Sequence, residues 1–122
     1  MIRGLGCDLC AISRMEKIMA DRRFLHRYFT EGERAYIAAR ARGAQTAAGI
    51  FAAKEALVKA LGTGFAQGIM PEQIEVTHAD SGQPGARLTG AAQARLEQMG
   101  GGRILLSLSH EGDTAIAFAL IQ

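Results

Sequence analysis

The sequence has no tryptophan, and its only aromatic residues are five phenylalanines and two tyrosines among 122 positions. A core with so few large rings must be built from close-packed small side chains, and alanine and glycine together supply 37 residues. Thin cores of this kind often gain stability from self-association. We therefore expect an oligomer.

Long apolar runs are also missing, since no stretch of about 18 uncharged apolar residues could serve as a membrane span. No secretory segment follows Met1, and the two cysteines are too few for a disulfide framework, so we expect a cytoplasmic protein without membrane contact. With 48% apolar and 21% charged residues and no repeat or low-complexity tract, the chain is neither disordered, collagen-like nor multidomain. This composition predicts a single domain over residues 1–122.

Basic residues are distributed unevenly along the chain. Residues 1–60 contain 11 Lys and Arg against 6 Asp and Glu, whereas residues 61–122 contain 3 against 6. Most of the excess lies between Arg14 and Arg42, which predicts an acidic partner or a phosphate-bearing ligand. A non-catalytic binder of acidic proteins or nucleic acid would account for this charge. We favour no nucleic-acid partner, because neither stacking aromatics nor a nucleic-acid-binding signature accompanies the arginines.

Hydrophobic periodicity and turn residues predict the order of secondary structure. Two S/T-x-x-E capping boxes, at Ser13 and Thr30, mark the starts of helices, and Gly62-Thr63-Gly64 marks the end of another. The expected strands cover residues 2–9, 74–78, 86–89, 103–109 and 114–121, and the expected helices cover 13–20, 23–29, 30–42, 46–61 and 90–99. This order predicts an α+β fold.

Charged residues interrupt the two most apolar segments. The helix expected over 46–61 is apolar almost all round, yet it carries Lys54, Glu55 and Lys59, and a buried ion requires a partner. Glu55 and Lys59 are four residues apart and could form an ordinary ion pair within the helix. Asp8 interrupts the first strand, where it could simply cap a turn. Alternatively, Asp8 and Glu55 converge on a Mg²⁺ ion, which prefers oxygen ligands, and Lys59 reaches a phosphate.

Three further motifs have less specific interpretations. Gly62-Thr63-Gly64 could let backbone N–H groups approach an anion, although an ordinary helix stop is the more common role. Cys7 and Cys10 spell C-x-x-C, but residues three apart on a strand point to opposite faces, so we reject a redox pair or a zinc site and expect core thiols. His110 closes an alternating strand and begins the predicted turn, where it is either part of a site or a solvated turn histidine.

The order and spacing of several motifs resemble the holo-acyl-carrier-protein synthases, the small phosphopantetheinyl transferases of fatty-acid synthesis. The resemblance covers nearly the whole chain. Its parts are Gly4-Leu5-Gly6-Cys7-Asp8 with Arg14 six residues on, Phe29-Thr30-Glu31-Gly32-Glu33, the segment from Phe51 through Lys54-Glu55 and Lys59 to Gly64, Ile74-Glu75-Val76, Gly82-Gln83-Pro84, and Ser107-Leu108-Ser109-His110.

This resemblance implies an α+β protomer, with an antiparallel-rich sheet wrapped on a central apolar helix, that assembles as a homotrimer and holds coenzyme A in clefts between subunits. It also implies a reaction in which the 4′-phosphopantetheine arm of coenzyme A moves to a serine of an apo acyl carrier protein. Adenosine 3′,5′-bisphosphate is released. Carrier proteins are acidic, which agrees with the basic segment identified from the charges alone.

Residue roles follow from the same resemblance. Asp8 and Glu55 would hold Mg²⁺, and Glu55 or a metal-bound water would take the serine proton. Lys59 would offset the charge on the leaving phosphate, and Lys59, Thr63 and His110 would contact coenzyme A. The carrier protein would dock on the basic helix that begins at Arg14, together with Arg22 and Arg23.

The chain departs from the family pattern at two places. Many relatives have an arginine immediately before Phe51, where this chain has Ile50. Many also have a basic residue shortly after Gly62-Thr63-Gly64, where this chain has Phe65-Ala66. We expect either that Arg40 or Arg42 substitutes for the missing arginine or that coenzyme A binds less tightly. A structural subunit that has lost activity is a further alternative, and Ile50 is the only feature that favours it.

Overall fold

The computed structural model describes residues 1–122 and confirms the α+β fold. Its strands pair in two antiparallel sheets, of order β1-β5-β4 and β2-β3. The elements are β1 Gly4–Ala11, α1 Ile12–Ile18, α2 Arg22–Tyr28, α3 Glu31–Ala38, α4 Gly43–Ala60, a 3-10 turn Pro71–Gln73, β2 Ile74–His78, β3 Pro84–Leu88, α5 Gly90–Gln98, β4 Ile104–Glu111 and β5 Thr114–Ile121.

Helix α4 is the centre of the core, as its uniformly apolar sequence predicts. The three-stranded sheet lays one face on α4, and α1, α3 and the β2–β3 hairpin pack against other sides of the helix. The contacts are made by small side chains, as the composition indicates. Those of α4 that are fully buried include Ala47, Ala48, Ala52, Ala53 and Ala56. None of the helices is both long enough and apolar enough to cross a lipid bilayer.

Two glycines allow β1 to lie directly on the backbone of α4. A Cβ atom at Gly4 would overlap the carbonyl oxygen of Ala60, and one at Gly6 would overlap that of Ala56. Because side chains alternate along a strand, Gly4, Gly6 and Asp8 share the face that meets the helix. The close approach therefore places the Asp8 side chain next to the C-terminal half of α4.

The opposite face of the same sheet is apolar and uncovered. Leu5 and Leu9 of β1 are 65% and 58% exposed, and Phe118 of β5 is 48% exposed. Leu105, on β4, is paired through Leu120 with Leu5 and is also exposed. Contiguous exposed apolar surface of this kind is typical of a protein interface.

Lys54 forms an ion pair with Glu33 of α3, a partner that the sequence did not indicate. Its ammonium group lies 2.7 Å from Oε1 of Glu33, and both side chains are completely buried. Glu33 also accepts the backbone N–H groups of Thr30 and Val76, so it closes the predicted capping box at Thr30 and ties α3 to β2. Burial raises the pKa of Glu33 and lowers that of Lys54, while their mutual attraction opposes both shifts.

The predicted capping box at Ser13 is not formed. Helix α1 begins at Ile12, and the carboxylate of Asp113, in the β4–β5 turn, accepts hydrogen bonds from both the backbone N–H and the hydroxyl of Ser13. His110 does not begin a turn either, because β4 continues to Glu111 and His110 pairs with Ala115. Both differences have one cause. The β4–β5 hairpin is longer than predicted, so its turn reaches α1.

Candidate active site between strand β1 and helix α4

Lys59 pairs with Asp8 across the β1–α4 contact. Its ammonium group lies 2.9 Å from Oδ1 of Asp8 and 3.0 Å from the carbonyl oxygen of Cys7. This hydrogen bond to Asp8 raises the pKa of Lys59. No ion pair joins Lys59 to Glu55, so the alternative of a pair within the helix is wrong. Lys59 remains 54% exposed and the Asp8 side chain 21%, which leaves both accessible to a ligand.

Glu55 lies one turn before Lys59 on α4 and is half-buried. Partial burial is the main cause that raises the pKa of Glu55 above its usual range, and the negative charge of Asp8 raises it further. The positive charge of Lys59 and a hydrogen bond from the Tyr28 hydroxyl act in the opposite direction. The two carboxylates are therefore near enough to interact electrostatically.

The donor set in this region fits Mg²⁺. Asp8 and Glu55 supply two carboxylates, and no group of three or more His, Cys, Asp or Glu side chains is clustered anywhere in the chain. Mg²⁺ is commonly held by one or two carboxylates, with water and substrate phosphate completing its octahedron.

The two cysteines do not form a metal site. As predicted, Cys7 and Cys10 lie on opposite faces of β1. Only Cys10 is buried, so Cys7 is not a core thiol.

The Gly62-Thr63-Gly64 segment is a helix stop. The backbone N–H of Gly62 donates to the carbonyl of Lys59, and those of Thr63 and Gly64 donate to the carbonyl of Val58. These amides are therefore engaged within the turn and do not form an anion cradle. The Thr63 hydroxyl, which donates to the Gly64 carbonyl, remains near the C-terminal end of α4.

His110 lies at the other end of α4. Its Nε2 is 3.2 Å from Nε2 of Gln45, beside a cavity of about 190 Å³. Gln45 and Glu55 are ten residues apart on α4, a distance of about 15 Å along the helix axis. A single chain therefore does not bring His110 together with Asp8, Glu55 and Lys59.

The cavity beside His110 contains an arginine and an aromatic stack. Tyr36 and His78 stack in parallel with ring centroids 3.9 Å apart, and the Arg40 guanidinium lies 5.3 Å from the Tyr36 centroid. Burial, followed by the charge of Arg40, lowers the pKa of His78. Ile50, which stands where an arginine was expected, lines the same cavity as Arg40. Arg40 therefore supplies a positive charge near this position. Arg42 lines an adjoining cavity.

The three arginines expected to dock a carrier protein are on the surface. Arg14 lies on α1, and Arg22 and Arg23 form the first turn of α2. All three are exposed, and none forms an ion pair. Each therefore presents a positive charge to solvent that no carboxylate of the chain pairs with.

Comparison with known proteins identifies the family of this chain. Residues 4–119 match ACPS, the 4′-phosphopantetheinyl transferase superfamily. The chain is 46% identical to the holo-[acyl-carrier-protein] synthase of Azorhizobium caulinodans, over 100% of this chain and 94% of that protein.

Two solved structures are closely similar. The synthase from Neisseria meningitidis has a TM-score of 0.89 at 32% identity, and the match covers 100% of this chain and 99% of that one. The Bacillus anthracis synthase in complex with CoA (3′,5′-ADP) has a TM-score of 0.82 at 32% identity, covering 99% and 96%. The chain therefore belongs to the holo-[acyl-carrier-protein] synthases of the 4′-phosphopantetheinyl transferase superfamily.

Proposed function

We propose that this protein, as a single domain, transfers the 4′-phosphopantetheine arm of coenzyme A to a serine hydroxyl of an apo acyl carrier protein. The observation that carries the proposal is the convergence of Asp8, Glu55 and Lys59 where β1 crosses α4. The relatives named above are synthases of this type, and one of them was solved with its coenzyme A ligand. Adenosine 3′,5′-bisphosphate is the second product.

Asp8 and Glu55 would hold Mg²⁺ through their carboxylate oxygens. When bound, Mg²⁺ supplies positive charge that offsets the negative charge of the coenzyme A pyrophosphate. Lys59 contributes a second cation, because its exposed ammonium group can leave Asp8 for a phosphate oxygen. Phosphoryl transfer needs little covalent help from protein, so positioning and charge dominate this site.

The transfer step involves one bond formed and one broken. The serine oxygen attacks the β-phosphorus of coenzyme A, and the bond from that phosphorus to the bridging oxygen of the leaving nucleotide breaks. We assign the serine proton to Glu55, whose carboxylate lies one helical turn before Lys59 on α4. Lys59 stabilises the charge that develops on the leaving phosphate.

A homotrimer accounts for two observations at once. The uncovered face of the β1-β5-β4 sheet would be buried between subunits. His110 contacts Gln45, which is about 15 Å from Glu55 along the axis of α4, so it could contact a coenzyme A molecule held by Asp8 and Lys59 of a neighbouring copy. Thr63 would contact the same ligand through its hydroxyl.

The exposed Arg14, Arg22 and Arg23 would bind the acidic carrier protein. The free cysteines fit a cytoplasmic location.

Mass spectrometry of a carrier protein tests the reaction directly. Incubation of the protein with coenzyme A, Mg²⁺ and an apo carrier should add one phosphopantetheine arm to one serine. Asp8→Asn and Glu55→Gln should each abolish the mass gain, while the exposed Asp80→Asn should retain it. Absence of a mass gain on every carrier offered would refute the proposal and favour a non-catalytic binder.

Sedimentation velocity tests the assembly. We expect the wild-type protein to sediment as a trimer and Leu9→Glu, which places a charge on the uncovered sheet face, to sediment as a monomer. Leu9→Glu should also lose coenzyme A binding, because the two halves of the site would separate. A wild-type monomer with full transfer activity would contradict the trimer.

A further inference from the structure

Helix α2 contacts helix α4 through an aromatic stack. The rings of Phe24 and Tyr28, about one turn apart on α2, face Phe51 of α4, with centroids 6.3 and 4.7 Å from its ring. The Tyr28 hydroxyl donates to the carbonyl oxygen of Phe51 at 3.5 Å, the outer limit of a hydrogen bond. The hydrophobic contribution of this contact is non-directional, so it favours close packing of the two helices more than any one register between them.

Lys54 adds a directional contact between the same two helices. Its ammonium group donates to the carbonyl oxygen of Tyr28 and to Oε1 of Glu33, which lies 2.7 Å away. The Tyr28 carbonyl is in the last turn of α2, where carbonyl groups have no partner within the helix. Lys54 therefore caps the C-terminal end of α2 from α4, one residue before Glu55.

Glu33 holds this ammonium group in place. Its carboxylate also accepts the backbone N–H groups of Thr30, at 2.9 Å, and Val76, at 2.7 Å, and both charged side chains are completely buried. Ion pairs at such depth often contribute no more to stability than well-packed apolar residues would. Apolar residues cannot supply these directed hydrogen bonds, which join α2, α3, α4 and β2 at one point.

The same short helix carries two of the arginines assigned to carrier docking. Arg22 and Arg23 form the first turn of α2 and Tyr28 is its last residue, so the helix is about 10 Å long. A rotation of α2 about its C-terminal end would therefore displace both arginines relative to Glu55. A displacement of about 1 Å between reacting groups can lower a rate by about 100-fold.

We propose that Lys54 is a positioning residue that, held by Glu33, fixes the carrier-docking helix α2 against α4. A carrier protein bound at Arg22 and Arg23 then presents its serine to Glu55. Lys54 itself touches no substrate, because it is completely buried, and it acts through α2. The roles of the carrier and of Glu55 rest on the proposed function, whereas the placement of α2 by Lys54 does not.

Hydrogen exchange, followed by mass spectrometry without any substrate, tests the placement of α2. The double variant Lys54→Met with Glu33→Gln removes both charges and the hydrogen bond to Tyr28. Amides of α2 should then exchange roughly 10-fold faster relative to those of residues 43–50 in α4, because a hydrogen bond to a charged group is lost. Lys54→Gln, with a neutral side chain one atom shorter, is the second variant and should give the same pattern.

The control for lost stability is Leu96→Ala, a core substitution on α5. It should leave the ratio of exchange rates between α2 and residues 43–50 unchanged, because a general loss of stability affects both segments alike. A wild-type ratio in both Lys54 variants would overturn the proposal, since α2 would then keep its place without the ammonium group.

Transfer kinetics test the consequence for the carrier protein. In both Lys54 variants we expect kcat/KM for the carrier to fall roughly 10- to 100-fold, with an unchanged KM for coenzyme A. Leu96→Ala should retain both values at a temperature where every variant is folded. A wild-type kcat/KM for the carrier, or an equal loss in Leu96→Ala, would overturn the proposal. If the wild-type protein transfers nothing, the proposed function fails and the exchange measurement alone decides the role of Lys54.

Discussion

The carbonyl oxygen of Ala56 occupies the space in which a Cβ atom on Gly6 would lie. The backbones of strand β1 and helix α4 are therefore in direct contact at this point. The spacing between Asp8 on the strand and Lys59 on the helix depends on this contact, because Asp8 follows Gly6 on the same face and Lys59 follows Ala56 by nearly one turn.

Gly6→Ala should destabilise the protein and disrupt the site. Overpacking a close contact costs about 1–3 kcal/mol, and here the obstacle is backbone that cannot rotate away. Urea unfolding should show this loss, and transfer activity should fall with it. Gly102→Ala is the matched control, because no atom lies within 4 Å of its added Cβ. Equal stability of the two variants would show that β1 does not rest directly on α4.

Lys54→Met should destabilise the protein by about 3–5 kcal/mol, because removing one partner leaves the buried Glu33 carboxylate uncompensated. The double variant Lys54→Met with Glu33→Gln should recover part of this loss. Lys59→Met, at an exposed ion pair, should change the unfolding free energy little. Similar losses of unfolding free energy in Lys54→Met and Lys59→Met, measured with urea, would contradict the burial of the Glu33–Lys54 pair.

His78 should make stability depend on pH. Its pKa is lowered in the folded protein, whereas the unfolded chain titrates at 6.5, so below that pH the unfolded state binds the proton more readily. Stability contributed by neutral His78 is therefore present above pH 6.5 and is lost as the pH falls toward the folded-state pKa. His78→Phe keeps a ring against Tyr36 and should reduce the difference in unfolding free energy between pH 7.5 and 5.5. If the unfolding free energies of the wild-type protein and His78→Phe depended on pH in the same way, this assignment would be wrong.

Asp113→Ala should destabilise α1, because the Asp113 carboxylate caps this helix from the β4–β5 turn. Loss of an N-terminal cap costs about 0.5–2 kcal/mol. Ser13→Ala, which removes only the hydroxyl contact and leaves the backbone N–H bond, should cost less. Hydrogen exchange should locate the change in residues 12–18. Exchange rates there that match the wild-type protein would argue against capping by Asp113.

Arg14→Glu should weaken binding of the acidic carrier protein. We expect a higher KM for the carrier and a weaker dependence of that KM on salt, with little change in the KM for coenzyme A, because rim charges act mainly on association. Arg103→Glu makes the same change of charge outside the basic segment and should have a smaller effect. An unchanged KM in Arg14→Glu would remove α1 from the docking surface.

Local patterns in the sequence predicted much of the fold. Strands β2 and β5 were predicted with their observed bounds because their apolar residues alternate, and the capping box at Thr30 formed as its spacing indicates. Helix α4 was recognised by its apolar character, although it begins at Gly43, three residues earlier than expected. Asp8 and Glu55 stood out because charge is costly in apolar segments.

Contacts between residues distant in sequence could not be predicted in this way. The cap on α1 comes from a residue 100 positions away, and the partners of Lys54 and Lys59 lie on other elements. Tyr28 appeared only as part of an aromatic and basic stretch, and nothing local predicts that its ring stacks on Phe51. Such contacts depend on how α2, α3 and β1 pack around α4.

The alternation along β1 also restricts where the chain can vary in length. Leu5, Cys7 and Leu9 point to the uncovered apolar face, and Asp8 points to the helix, so inserting one residue before Asp8 would exchange the two sets. The carboxylate would then face the apolar surface, and a leucine would meet the backbone of α4. Insertions and deletions of a single residue should therefore not be tolerated in the first strand before Asp8.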